Sequence, residues 1–284
     1  MGIGEVGELL RRSTVHIRGA DPRWQNAGSG VIWDNAGTIV TNAHAVGKGT
    51  HLVELWDGSS FPAEIHSRDD SRDLAKLKLP ATGAPAASLR TSPVKPGELV
   101  IAVGNPLGFT GALTTGVVHA VGPFSGFGRR PWVQAAIRLA PGNSGGPLAD
   151  AAGHVIGINT MLASGGIALA IPAATVLDFL KNGPRPRLGV TVRIVRLDRQ
   201  RSAGLLIMSI ENGSPAEQAS LLIGDILIGT FGSRFTTAAD LADAIDDAIT
   251  EADDRLKIHF LRGDNTRERE VVVSLTGRLT REAA

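Results

Sequence analysis

From residue 12 to residue 172 the chain alternates short β-branched or apolar runs with clusters of Gly, Pro, Asp and Asn. The runs are Thr14–Arg18, Gly30–Trp33, Thr38–Thr41, Leu52–Leu55, Ala75–Leu79, Leu99–Val103, Leu113–Val121, Trp132–Ala136, Val155–Met161 and Ile167–Ile171. Runs this short, bounded by turn formers, predict strands. In Leu74-Ala75-Lys76-Leu77-Lys78-Leu79 the period of two is explicit, with Ala75, Leu77 and Leu79 on one face and Lys76 and Lys78 on the other. The expectation is an all-β domain. Pro172–Lys181 then predicts a closing helix with proline near its start, and Asn182-Gly183-Pro184-Arg185-Pro186 a linker. Beyond it the chain carries more charge and mixes strands with one helix over Thr237–Ile249, in which Leu241, Ile245 and Ile249 recur at i, i+4. The expected division is a first domain at 1–181, a linker at 182–186, a second domain at 187–277 and a tail at 278–284.

Composition fits that division. A chain of 284 residues exceeds what one core usually organises, and 43% apolar content is enough for two. With 29 basic and 28 acidic residues the net charge is +1, and Arg129-Arg130 is too short for a basic footprint, so nucleic acid is not an expected partner. The absence of cysteine excludes disulfides and thiol catalysis without fixing a compartment. The N-terminal residues hold no apolar run long enough for a signal peptide, and no later stretch approaches a membrane span. As written, the sequence is expected in the cytoplasm; the alternative is the cell envelope or periplasm, if a leader has been removed.

The chemistry lies in three segments: Thr41-Asn42-Ala43-His44, Asp73-Leu74-Ala75 and Pro141-Gly142-Asn143-Ser144-Gly145-Gly146-Pro147-Leu148. A serine hydroxyl is a weak nucleophile until a histidine takes its proton, and the histidine keeps the productive tautomer when a carboxylate holds its other nitrogen. The glycines around Ser144 demand a sharp turn, which aims the amides of Gly142 and Ser144 into one space as an oxyanion hole, with Asn143 between them. His44 follows the strand Thr38–Thr41, where rigid backbone fixes its ring. Three aspartates compete to orient it; spacing favours Asp73 at the start of a strand, with Asp70 as the alternative. His16, His51, His66, His119, His154 and His259 read as structural, and no metal-ligand spacing occurs, so neither metal nor cofactor is expected. The chain lacks the Gly-x-Ser-x-Gly elbow of α/β-hydrolases, which disfavours an esterase. A catalytically silent peptide-binding scaffold or holdase remains the competing class.

These segments resemble the HtrA/Deg family of trypsin-like serine proteases, and the resemblance runs through most of the chain. Gly28-Ser29-Gly30-Val31-Ile32, Gly104-Asn105-Pro106-Leu107-Gly108, Val155-Ile156-Gly157-Ile158-Asn159-Thr160 and Gly166-Ile167-Ala168-Leu169-Ala170-Ile171-Pro172 match its pattern. The resemblance implies two six-stranded barrels, a site in the cleft between them, and an endopeptidase for unfolded or damaged polypeptide. Pocket walls are expected near Arg138, Leu139, Ile158, Asn159, Thr160, Ile167, Ala168 and Leu169. No carboxylate stands at the pocket base, so the expected residue before the cut is a small or medium aliphatic one; Arg138 could instead select an acidic side chain. Asn143 stands where digestive relatives carry Asp, so zymogen cleavage is not the expected switch, and the glycine-rich loop Gly122–Arg130 is the expected sensor. Residues 187–277 resemble a bacterial-type PDZ domain, in which Leu188-Gly189-Val190 would take the carboxylate of an apolar C-terminal peptide beside Leu241 and Ile245. For Leu241 a plain core role is an equal reading. Ser220 departs from the family's usual glycine and puts its turn in question. Relatives often trimerise, which extends to this chain as the expectation of a homotrimer.

Overall fold

The computed structural model of the chain describes residues 2–19, 27–47, 49–80, 83–106, 109–197, 202–250, 254–263 and 267–275. It divides into two compact units, one of residues 1–123 and 131–185, the other of residues 124–130 and 186–284. Leu107 and Gly108 of the Gly104 motif, and the tail at 278–284, lie outside the described residues.

The first unit opens with helix α1 (Ile3–Arg12), which the strand-dominated pattern does not announce. Six strands follow: β1 (Thr14–Gly19), β2 (Ala27–Ile32), β3 (Thr38–Thr41), β4 (His51–Glu54), β5 (Ser60–Asp69) and β6 (Leu74–Lys78). They close into an antiparallel barrel in the order β1-β2-β3-β6-β5-β4. Val15, Ile17, Ile39, Val53, Leu77 and their neighbours fill it.

The second barrel contains β7 (Leu99–Gly104), β8 (Ala112–Gly122), β9 (Trp132–Ala136), β10 (Pro147–Asp150), β11 (Val155–Leu162) and β12 (Ala168–Pro172), closed as β10-β11-β12-β9-β8-β7. Closure leaves neither barrel with an open edge, which explains why so many short strands pair without loose ends. Val6 and Leu10 of α1 pack with Ile101, Val103, Ala149 and Val155 on the outside of this barrel. Helix α2 (Ala173–Asn182) ends the unit, with Pro172 at its N-cap and Gly183 at its C-cap, φ +80°. Its buried Val176 and Phe179 make it amphipathic.

Among its described residues the second unit is a single sheet with two helices. Strands β13 (Val190–Leu197) and β14 (Ser202–Ile210) precede the short helix α3 (Pro215–Gln218); β15 (Ile226–Thr230) and β16 (Ser233–Arg234) follow. Helix α4 (Ala238–Thr250), one residue later than its predicted span, leads to β17 (Arg255–Leu261) and β18 (Arg269–Ser274). The sheet runs β13-β14-β15-β17-β18, with β16 paired to β15, so β13 is an edge strand. The loop Phe124–Arg130 belongs to this unit: the Arg129 amide donates to the Asp243 carboxylate at 3.0 Å, and its guanidinium donates to Asp247 at 2.6 Å. Among the described residues no helix is long and apolar enough to cross a membrane.

Candidate active site

Strand β3 ends at Thr41, and the buried Asn42 and Ala43 carry the chain into a turn that presents His44 half-exposed. The partner carboxylate comes from the turn between β5 and β6. Asp73 there has φ +56°, a left-handed conformation rare for any residue but glycine, asparagine or aspartate. His44 Nδ1 lies 2.8 Å from Asp73 Oδ2 and 3.0 Å from Oδ1, and the His44 amide donates to Oδ1 at 3.0 Å. Asn42 Nδ2 donates to the Asp73 carbonyl at 3.0 Å, so two residues of the histidine segment grip this aspartate. Asp70, the alternative from spacing, is exposed and accepts from Arg68 Nε at 2.8 Å instead.

Thr160 of β11 completes the carboxylate's shell, its hydroxyl donating to Asp73 Oδ2 at 2.5 Å. Burial works to raise the pKa of Asp73, but the bonds from His44 and Thr160 outweigh it and hold the carboxyl below its ordinary range. The same bond to Asp73 raises the His44 imidazole, against burial and the Arg68 guanidinium, which both lower it.

The nucleophile turn is set by contacts from both barrels. Gly142 has φ +102° and Gly145 φ +85°. A Cβ on Gly145 would lie 2.0 Å from the Ser29 carbonyl oxygen, so only glycine fits there. Ser29 of β2 donates its Oγ to the Gly142 carbonyl at 2.7 Å and its amide to the Ser144 carbonyl at 2.8 Å. The buried Asn105 amide donates to Ser29 Oγ at 2.8 Å. From the other side the Gly145 amide donates to the Asn159 carbonyl, and Asn159 Nδ2 to the Pro147 carbonyl, both at 2.8 Å. Ser144 Oγ itself donates to the Thr160 carbonyl at 2.8 Å.

The Asn143 amide, expected among the oxyanion donors, donates instead to the Ala140 carbonyl at 3.0 Å. Ala168 belongs to the core of the second barrel, Leu139 packs against that core, and Ile158 and Leu169 are fully buried. The side chains of Asn159 and Thr160 brace the turn of Ser144 and Asp73. Arg138 is exposed, and Ile167 is partly exposed. In the second unit the side chains of Leu188, Leu241 and Ile245 pack in the hydrophobic core. Gly189 has φ +77°, and Val190 opens the edge strand β13. Ser220 takes the left-handed conformation a glycine would hold, φ +59°. The bracing by Ser29, Asn105 and Asn159 was not read from sequence. The motifs around Gly28-Ser29, Gly104-Asn105 and Val155–Thr160 marked those positions without revealing the bonds.

Comparison with known proteins places this geometry. A trypsin-like peptidase domain model matches residues 28–158, and a PDZ domain model matches residues 186–273. HhoA of Synechocystis sp., which carries a serine-protease name, is 35% identical over 269 residues, covering 84% of this chain and 68% of that protein. A DegP-like periplasmic serine endoprotease of Pseudomonas fluorescens is 35% identical over 76% of this chain and 50% of its own length. The chain thus spans between half and about two thirds of these relatives. Among solved structures, the serine endoprotease from Yersinia pestis shares the fold with a TM-score of 0.64 at 24% identity, covering 96% of this chain and 97% of that one. The HtrA-type protease AlgW with a decapeptide follows, with a TM-score of 0.62 at 25% identity and coverage of 96% and 98%. With a trypsin-like peptidase domain followed in sequence by a PDZ domain, and with serine-protease relatives 35% identical over most of its length, the chain belongs to the HtrA/DegP family of serine proteases.

Proposed function

We propose that the protein is an endopeptidase for unfolded or damaged polypeptide. In this reading Ser144 attacks the scissile carbonyl, His44 takes its proton and returns it to the leaving amine, and Asp73 holds the imidazolium. The amides of Gly142 and Ser144 stabilise the oxyanion. The observation that carries it is the approach of His44 Nδ1 to the Asp73 carboxylate at 2.8 Å, beside a glycine-cut turn that lifts Ser144.

The second unit binds apolar C-terminal peptides at the edge of β13 beside α4, where an added strand finds unpaired backbone. The peptide complexes of AlgW support this. Gly122–Arg130 is the sensing segment: its ends continue into β8 and β9, while Phe124–Arg130 folds with the second unit. The pocket accepts a small or medium aliphatic residue before the cut, and the protein assembles as a trimer.

The test is digestion of an unfolded, disulfide-free protein by the wild type and by Ser144→Ala, with and without a peptide ending in an apolar residue, read by mass spectrometry. Cleavage by the wild type alone, faster with peptide, is the expected result. A second reading, a peptide-binding scaffold, has one observation in its favour: Ser144 Oγ donates to the Thr160 carbonyl rather than to His44. Peptide binding with neither cleavage nor fluorophosphonate labelling would establish it.

A further inference from the structure

The turn that delivers Asp73 contains a buried ion pair that the proposed chemistry does not use. Asp69, at the end of β5, and Arg72 are 3% and 4% exposed. Arg72 Nε donates to Asp69 Oδ2 at 2.6 Å, Nη1 to Asp178 Oδ2 of α2 at 2.6 Å, and Nη2 to the Gly183 carbonyl at 2.7 Å. The guanidinium also lies over the Phe179 ring, 5.6 Å from its centroid. Asp69 is equally occupied: it accepts from Ser71 Oγ at 2.6 Å, from the Arg72 amide at 3.0 Å and from the Arg185 amide at 3.0 Å. A charge removed from water is retained only when bonds of this quality hold it, and losing either partner leaves the other stranded.

Placement gives the pair its meaning. Arg72 immediately precedes Asp73, whose backbone sits at φ +56°. Aspartate enters this region more readily than most residues, and its neighbours on both sides hold it there. On one side Asn42 and His44 grip Asp73. On the other, Arg72 and Asp69 bind the same turn to the C-terminal end of α2 and to Arg185, the last residue of the first unit.

We propose that Arg72, clamped by Asp69, is a positioning residue for Asp73, and that it makes the placement of this carboxylate depend on the chain exit at Gly183–Arg185. The inference rests on the triad reading above and adds a control point to it. Removing the guanidinium frees the turn to relax from its left-handed residue, and the carboxylate then leaves His44 Nδ1. A misplacement of about 1 Å in a catalytic constellation costs about 10²-fold in rate.

The groups facing His44 are the Asp73 carboxylate, which raises its pKa, and the Arg68 guanidinium from β5, which lowers it. Losing the Asp73 contact while keeping Arg68 must therefore move the imidazole downward. The experiment uses the full chain with Arg72→Met and Arg72→Lys, following kcat and KM across pH and titrating His44 by NMR. The expected result for Arg72→Met is a fall in kcat of about 10²-fold, with KM little changed and the acid limb of kcat/KM displaced to lower pH. Arg72→Lys, which keeps the charge but not the three-way fork, should recover part of both. A folded Arg72→Met protein with the wild-type acid limb would overturn the proposal. Should that variant fail to fold, Asp69→Asn keeps the shape of the clamp but removes the charge that holds Arg72, and it must displace the same limb; an unchanged limb would be equally decisive against the proposal. If the wild type does not label with a fluorophosphonate, the proteolytic reading falls by itself. The His44 titration, which needs no turnover, then still decides the positioning role.

Discussion

Thr160 shows how much of the site hangs on one residue. Its hydroxyl donates to Asp73 while its carbonyl accepts from Ser144, so it touches both ends of the proposed triad. Thr160→Val keeps the shape and deletes the donor, and a bond to a charged group of this kind contributes about 1.5–3 kcal/mol. The expected loss of stability, measured by urea unfolding at neutral pH, is of that size. Its pH dependence follows from the lowered pKa of Asp73. A depressed carboxyl contributes stability that is present above its unfolded pKa and lost as pH falls through the folded one, so wild type and variant should converge in acid. His44 runs the other way. Its pKa is raised, so the neutral base appears only above the ordinary histidine value of about 6.5, and the acid limb of kcat/KM should lie above that pH. A limb at or below it would show that Asp73 does not hold the imidazole in solution. Sequence placed Thr160 in a pocket wall because nothing in its own strand reveals a partner 87 residues away. The pairing of His44 with Asp73 was legible because their residue types and local turns carry it.

At the scale of elements, two strands of the first unit were missed, one for want of an apolar stripe and one for its shortness. Strand β5 buries only Ala63 and Asp69 of its ten residues, so its pattern reads as a polar loop. Strand β10 begins with proline and is four residues long. Helix α1 was missed for another reason: Gly4 and Gly7 lower its helix propensity, and docking of Val6 and Leu10 on the second barrel supplies what propensity does not. Leu10→Ala should therefore destabilise the protein by about 2–5 kcal/mol, seen as a lower urea midpoint. The turn after α3 holds the opposite kind of opportunity. Ser220 sits there at φ +59°, its amide donating to the Glu217 carbonyl at 2.9 Å and its carbonyl accepting from Arg262. A left-handed residue with a Cβ carries a penalty of about 1–2 kcal/mol, part of which glycine returns as chain entropy. Ser220→Gly should raise the stability of the second unit by up to about 1 kcal/mol, and a loss would show that the side chain itself is needed.

For the molecule as a whole, the first unit works only as two barrels together. Ser29 and Asn42 come from the first, while Asn105, the nucleophile turn and Thr160 come from the second. Gly145→Ala should abolish fluorophosphonate labelling, because its Cβ would meet the first barrel's Ser29 carbonyl at 2.0 Å. Circular dichroism would show whether the strands survive, and labelling at the wild-type rate would refute the templating of this turn. Light scattering tests assembly: a trimer is the expected mass, and a monomer at all concentrations would exclude it. The crossing of contacts between barrels also has a consequence in time. The ribosome delivers His44 and Asp73 early, but the bonds that shape the nucleophile turn require Asn159 and Thr160, which emerge only after Ser144. A half-made chain thus carries its histidine and aspartate without a formed serine turn, so the whole arrangement comes into being only after the last strands of the second barrel have been made.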